Sequence, residues 1–162
     1  MKHYLILIFA VVLMAAPARS DEPKPASDAP ARPAELNPKL DAFLKAVEPA
    51  AGDTELRKKL KERHNSAVKL LEFRIADYKK GLRDVAAVFE AARMAAEAKL
   101  DLAENVDQRG TVLEQTVEVA KVFEGYLQKQ VDSGVGSKAE LERARFARLS
   151  VEVQLLKLRQ KE

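Results

Sequence analysis

The sequence predicts an all-α protein: an antiparallel four-helix coiled-coil bundle built from two helical hairpins and preceded by a disordered N-terminal linker. After the first 20 residues, every proline lies between Pro23 and Pro49, so residues 53–162 contain none. This stretch is rich in Ala, Leu, Glu, Lys and Arg, and its apolar residues recur at steps of three, four or seven. No β-branched run alternates with polar residues, so no strand is expected.

Residues 1–20 have the features of a secretory signal peptide. Lys2 and His3 precede twelve unbroken apolar residues, 5–16, and small residues then fit cleavage after Ser20 or after Ala18. Twelve residues span about 18 Å as a helix, whereas a bilayer core is about 30 Å thick. We therefore expect cleavage near Ser20 and a periplasmic or extracellular location. A retained signal that anchors the chain is the alternative.

Cleavage of the signal peptide would change the net charge of the chain, and with it the classes of function that the charge favours. The chain has 28 basic and 25 acidic side chains, and loss of Lys2 and Arg19 leaves 26 and 25, a net charge of +1. Nucleic-acid binding then loses its main support, so we expect no nucleic-acid partner. The chain has no Cys and two His, which excludes thiol chemistry and a multi-histidine metal centre. We expect no cofactor, no metal and no small-molecule substrate.

Residues 21–52 form the expected linker, which is rich in Pro and Ala and too poor in apolar residues to fold by itself. A short helix is possible at 38–48, with Pro38 in its first turn. Its apolar residues would share one face: Leu40, Phe43, Leu44 and Val47.

The helical bundle domain is expected at 53–162, and its first half divides at Gly81. A helix start is expected at Asp53, Thr54 and Glu55, and Asp84 is a plausible cap for the second segment. A single continuous helix of about 50 residues is the alternative, because a lone glycine costs only about 1 kcal/mol inside a helix. The second segment is rich in alanine, which permits close approach of neighbouring helices: Ala86, Ala87, Ala91, Ala92, Ala95, Ala96 and Ala98.

In the second half, residues 105–111 form the strongest turn signal, and Thr111 with Glu114 matches a capping box. Residues 133–137 break the chain again, and Ser137 with Glu140 is a second such match. The last segment carries an apolar stripe whose width favours a bundle core over a two-stranded seam. The stripe comprises Leu141, Ala144, Phe146, Leu149, Val151, Val153, Leu155, Leu156 and Leu158.

The two halves align without gaps at an offset of 53 residues, which predicts an internal repeat with units at about 54–104 and 111–161. Gly81 falls on Gly134, and Ala67 falls on Ala120. Because any two helices share a periodicity, periodicity alone accounts for part of this alignment.

The segments around both breaks resemble the TolC family of outer-membrane efflux proteins. They are YKKGLRDV with FEAAR (78–85 and 89–93) and VDSGVGS with LERAR (131–137 and 141–145). The resemblance covers about residues 54–160 and extends only to the periplasmic helical hairpins, since this sequence lacks the strand segments of family members. It implies that the hairpin turns dock a partner, and ordinary interhelix turns are the alternative. The candidate docking residues are Gly81, Leu82, Arg83, Asp84, Gly134, Val135, Gly136 and Ser137.

No catalytic motif accompanies these turns, and His64 is expected to be a solvated surface residue. We therefore predict an exported, non-enzymatic coiled-coil protein that binds a protein partner or itself through its helices in the cell envelope. The alternative is a peripheral membrane protein that uses its C-terminal amphipathic helix. The basic residues of that helix are Arg143, Arg145, Arg148, Lys157, Arg159 and Lys161.

Overall fold

The structure, a computed structural model, describes residues 39–160 and is all-helical over that range, as predicted. A short 3-10 helix, Asp41–Phe43, precedes four α-helices. They are α1 (Glu55–Lys79), α2 (Val85–Leu102), α3 (Val106–Asp132) and α4 (Lys138–Arg159). The predicted signal peptide and residues 21–38 of the predicted linker lie outside the described residues.

Each α-helix begins at a side chain that accepts a hydrogen bond from a backbone N–H of the first turn, an arrangement that stabilises a helix N-terminus. Thr54, Asp84 and Ser137 do this for α1, α2 and α4, which confirms the three predicted starts. In α3 the capping residue is Asn105, which accepts from the N–H of Gln108.

The predicted capping box at Thr111 is therefore wrong. Because Asn105 caps α3 six residues earlier, Thr111 lies inside the helix, and its hydroxyl donates to the carbonyl of Asp107. Gly110 also lies inside α3, where a Cβ atom would be 3.9 Å from the side chain of Leu158. Helix α3 thus begins at Val106, so most of the predicted turn at residues 105–111 is helical.

The helices pack as neighbours in chain order: α1 lies along α2, α2 along α3, and α3 along α4. Short connections and cross-helix ion pairs show that neighbouring helices run antiparallel. In the middle of α4, Arg148 binds Glu124 of α3 at 2.5 Å, and at the end of α4 Arg159 binds Glu114, which lies earlier in α3, at 2.6 Å. The outer helices α1 and α4 therefore each have one main helical neighbour.

The centre of the core is formed by α2, with Phe89 stacked on Phe123 of α3 at a ring-centroid distance of 4.2 Å. Most alanines of α2 are buried, as expected for closely approaching helices. The buried residues of α2 are Val85, Val88, Ala91, Ala92, Ala95, Ala96, Ala98 and Leu102.

Residues 39–54, which we call the strap, pack against the bundle. Leu40 and Phe43 are each only 1% exposed and belong to the main core cluster. Of the predicted helix at 38–48, the described part is helical only as far as Phe43: residues 39 and 40 are α-helical and Asp41–Phe43 form a 3-10 turn, after which Leu44 and Val47 are only half-buried. The strap thus belongs to the folded unit, although residues 39–52 fall within the range predicted as linker.

The apolar stripe of α4 does not lie wholly in the core, so the expectation drawn from its width is wrong. Only Leu141 and Ala144 are buried. Because α4 has a single main neighbour, it can bury only one side, and the remaining apolar residues are divided between a half-buried and an exposed set. The exposed set is Phe146, Leu149, Val153 and Leu156.

Candidate docking tips

The first candidate site is the turn between α1 and α2, residues 80–84. Gly81 has φ of 75°, and its N–H donates to the carbonyl of Tyr78 at 3.0 Å. The N–H of Leu82 donates to the carbonyl of Asp77 at 2.9 Å. This pair of bonds is a Schellman motif, which ends a helix and requires a left-handed residue. Gly81 therefore forms a hairpin turn, and a continuous helix through it is excluded.

The turn between α3 and α4, residues 133–137, repeats this geometry. Gly134 has φ of 78° and donates to the carbonyl of Val131 at 3.0 Å, while Val135 donates to that of Gln130 at 3.0 Å. Gly136 lies so close to the end of α3 that a Cβ atom there would be 2.6 Å from the backbone nitrogen of Val131. This tip therefore needs glycine at two positions.

The two tips have equivalent parts 53 residues apart, at the offset of the predicted repeat. The preceding helices end at Lys79 and Asp132, and the following helices start at Val85 and Lys138. The antiparallel order places both tips at the same end of the bundle. The structure thus divides the eight predicted docking residues between two equivalent turns at one end of the molecule.

Each tip presents one exposed apolar side chain, Leu82 at 67% and Val135 at 68%. Both follow the left-handed glycine, at the position whose apolar side chain often packs against the third-last residue of the helix. That residue is Asp77 in one tip and Gln130 in the other, so neither offers an apolar surface. Both side chains are therefore displayed to solvent.

A group of polar residues missed by sequence reasoning binds the strap. They lie on α1 and α2, and each donates from its side chain to a strap carbonyl. The pairs are Lys61 to Glu48 (3.0 Å), His64 to Lys45 (3.1 Å), Asn65 to Val47 (3.0 Å) and Lys99 to Ala42 (2.6 Å). Asn65 also accepts from the N–H of Val47 at 2.9 Å. These four side chains take the place of the helical hydrogen bonds that the strap lacks.

The expectation that His64 is solvated is wrong, since the strap covers it and leaves it 1% exposed. Its Nε2 donates to a carbonyl oxygen, and its Nδ1 has no hydrogen-bond partner among residues 39–160. A signal for this burial was present in the sequence. It is a line of residues on one face of α1, spaced by three and four positions, whose second half is apolar and therefore predicts burial of the whole face: Lys61, His64, Val68 and Leu71.

The charges of this group also stabilise the strap. Asp53 accepts from the backbone N–H of Ala50 at 2.7 Å and from Lys61 at 2.5 Å, and both bonds hold the pKa of Asp53 below its usual value. Burial, together with the nearby charge of Lys45, lowers the pKa of Lys99. These contacts join the strap to α1 and α2, and Lys99 also donates to Gln115 of α3 at 3.2 Å.

Two shallow grooves lie on the surface of the described residues. One, of about 280 Å³, lies between α1 and α2 and is lined by Arg63, Ser66 and Glu97 among others. The other, of about 210 Å³, includes Arg109 and Lys157. Within residues 39–160, no cluster of His, Asp and Glu is placed to hold a metal ion. No helix in that same range is long and apolar enough to cross a membrane.

Comparison of the chain with protein-family models, with curated proteins and with solved structures gives no match. The resemblance to TolC-type hairpins therefore depends on the short segments at the two turns. Function has to be argued from the geometry of the tips and the helix surfaces.

Proposed function

We propose that this chain is an exported, non-enzymatic helical coiled-coil protein that acts through protein–protein contact in the cell envelope. Its two tips would dock a partner in the manner of the hairpin tips of TolC-type proteins. The observation that carries the proposal is the paired exposure of Leu82 and Val135 at equivalent positions of two equivalent turns.

A partner surface that contacts this end of the bundle can bury the side chains of Leu82 and Val135 at once. Full burial of a Val or Leu side chain contributes about 1.5–3 kcal/mol. The Schellman hydrogen bonds and the capped helices hold each side chain in place, so little entropy is lost on contact. The exposed Arg83 places a positive charge next to Leu82, which would favour a partner with an acidic residue at that point.

The docking proposal is tested by site-specific photo-cross-linking in intact envelopes of the source cells. A photoreactive amino acid replaces Leu82, Val135 or, as the control, Leu56, which is 70% exposed near the opposite end of the bundle. We expect an adduct of one discrete mass from both tip positions and none from position 56. Absence of adducts at the tips, or equal adducts at all three positions, would refute the docking proposal.

Export is tested separately by fractionation and N-terminal sequencing of the protein from those cells. We expect a soluble envelope fraction whose chain begins at Asp21, after cleavage at Ser20, or at Arg19, after cleavage at Ala18. A cytoplasmic chain that retains Met1 would refute export.

A further inference from the structure

An apolar seam runs along the solvent side of α4 and has no partner within residues 39–160. Its four residues are Phe146, Leu149, Val153 and Leu156, whose exposed fractions lie between 45% and 66%. They are separated by three, four and three residues, which is the a/d pattern of a coiled coil. Scattered single apolar residues are ordinary on a protein surface, but a contiguous line of four indicates an interaction site.

This seam lies on the opposite side of α4 from the face that packs on α3. At 3.6 residues per turn, it is about 130° around the helix from the line of Leu141, Ala144 and Leu155. One apolar side of α4 is covered by α3, and a second apolar line on the same helix indicates a second packing surface.

We propose that a second copy of this chain covers the seam, with the two α4 helices parallel. Residues at the e and g positions beside an a/d seam set partner and orientation. Here Glu152 occupies a g position, and Lys157 occupies the next e position. In a parallel pair, Glu152 of each copy lies next to Lys157 of the other, so the two-fold axis generates two opposite-charge contacts.

The same charges disfavour the antiparallel arrangement. There, Glu152 would face Glu152 of the second copy, and Arg145 would face Arg159. Every charged pair would then be of like sign. Within its own chain, Glu152 binds Arg148 at 2.8 Å, and Lys157 has no ion-pair partner among the described residues. A parallel second copy would supply that missing partner.

A membrane surface is a poorer fit to the same seam. An interfacial helix presents a broad apolar face bordered by cations, whereas an a/d line is narrow. Glu142 continues the line of the seam at one end, and Glu152 borders it. Both carboxylates would be repelled by anionic lipid headgroups. In the parallel pair Glu142 would lie next to Glu142 of the second copy, so the apolar interface begins at Phe146, whereas Glu152 lies beside it and faces Lys157 of the other chain.

The inference goes beyond the docking of a partner at the tips and stands independently of it, since it uses other residues and requires no envelope. The two are linked only by geometry. A parallel pair places all four tips of the dimer at one end.

The first test is sedimentation velocity of the purified protein, expressed from the whole 162-residue sequence, over a range of concentrations. We expect a monomer–dimer equilibrium. The double variant Phe146→Gln with Leu156→Gln should weaken dimerisation at least about 100-fold, because it removes four apolar side chains from the two-fold interface. Phe73→Gln is the control: Phe73 is equally exposed, but on α1, and its replacement should leave the dimer unchanged.

The second test fixes the orientation. The chain has no cysteine, so Leu149→Cys introduces a single thiol. In a parallel pair the two thiols face each other, and oxidation should give a covalent dimer. Charge exchange gives a further test. Lys157→Glu and Glu152→Lys should each dimerise weakly alone, whereas an equal mixture should form a heterodimer, because both g–e contacts are then of opposite sign.

Three results would overturn the proposal. The first is a monomer at every concentration up to about 1 mM, and the second is a dimer that the Phe146/Leu156 variant leaves intact. The third is cross-linking that requires mixing of Leu149→Cys with Val153→Cys, as an antiparallel pair would. Binding of a monomeric chain to anionic vesicles through Phe146 and Leu156 would assign the seam to a membrane instead. Circular dichroism of each variant verifies that it is folded.

Discussion

Replacement of Phe43 by alanine tests whether the strap is part of the cooperative fold. Phe43 is 1% exposed, lies in the core cluster and has the ammonium of Lys99 5.4 Å from its ring centroid. Truncation of a buried phenylalanine costs about 3–5 kcal/mol. We expect a loss of about 3 kcal/mol, the lower end of this range, because the strap has no helix between Phe43 and Glu55 and can detach in part. The measurement is urea unfolding followed by far-UV circular dichroism.

The matched control is Phe73→Ala, the same chemical change at a side chain that is 67% exposed. A surface change of this kind alters the free energy of unfolding by about 0.5 kcal/mol or less. If the two variants lose equal stability, or if Phe43→Ala loses less than the control, the strap is not part of the cooperative core and this reasoning is wrong.

The remaining predictions concern a half-buried carboxylate, two glycines and one amide. Burial raises the pKa of Glu124, but hydrogen bonds from two α4 arginines outweigh it and leave the pKa below 4.5. The ionised carboxylate therefore stabilises the fold above pH 4.5, and this contribution is lost as pH falls through the lower folded pKa. At pH 7 the wild type should unfold at a higher urea concentration than Glu124→Gln, and this difference in midpoint should shrink at pH 3. An unchanged difference would show that the ionised carboxylate of Glu124 does not stabilise the fold. Gly136→Ala should lose about 1–3 kcal/mol in urea unfolding, because its Cβ would clash with backbone. Gly125→Ala adds a Cβ atom in open space inside α3, so it should raise the free energy of unfolding by about 0.5–1 kcal/mol. Equal effects of the two substitutions would show that the clash at Gly136 does not matter. Asn65→Ala should cost about 1–3 kcal/mol and speed hydrogen exchange at the amide of Val47, whereas unchanged protection there would show that Asn65 does not hold the strap.

Local signals predicted much of the fold and the location of the candidate tips. Thr54, Asp84 and Ser137 cap helices by bonds to residues only three positions ahead, so the sequence around each contains the whole interaction. Gly81 and Gly134 adopt positive φ for an equally local reason. The error at α3 arose because Asn105 and Thr111 both carry cap chemistry, and only one of them can begin the helix.

The missed features depend on contacts between distant parts of the chain. Lys99 binds the carbonyl of Ala42, 57 residues away, so no local pattern could show that the strap is bound. His64 is polar, and only the strap lying over it accounts for its burial. The strap was predicted to be linker because residues 21–52 are rich in proline and poor in apolar residues. That composition is an average over the segment, and it conceals Leu40 and Phe43, which are apolar and buried.

By itself, the sequence determined that this protein is helical, where three of its helices begin, and that glycines interrupt the helical pattern at Gly81 and Gly134, although it left open a continuous helix through Gly81. The physical reason is that caps, turns and helix propensity act over a few residues. Only the tertiary structure decided which apolar residues are buried. α4 has apolar side chains on two opposite sides, and the position of α3 alone determines that Leu141 and Ala144 are covered while Phe146 and Leu156 face solvent.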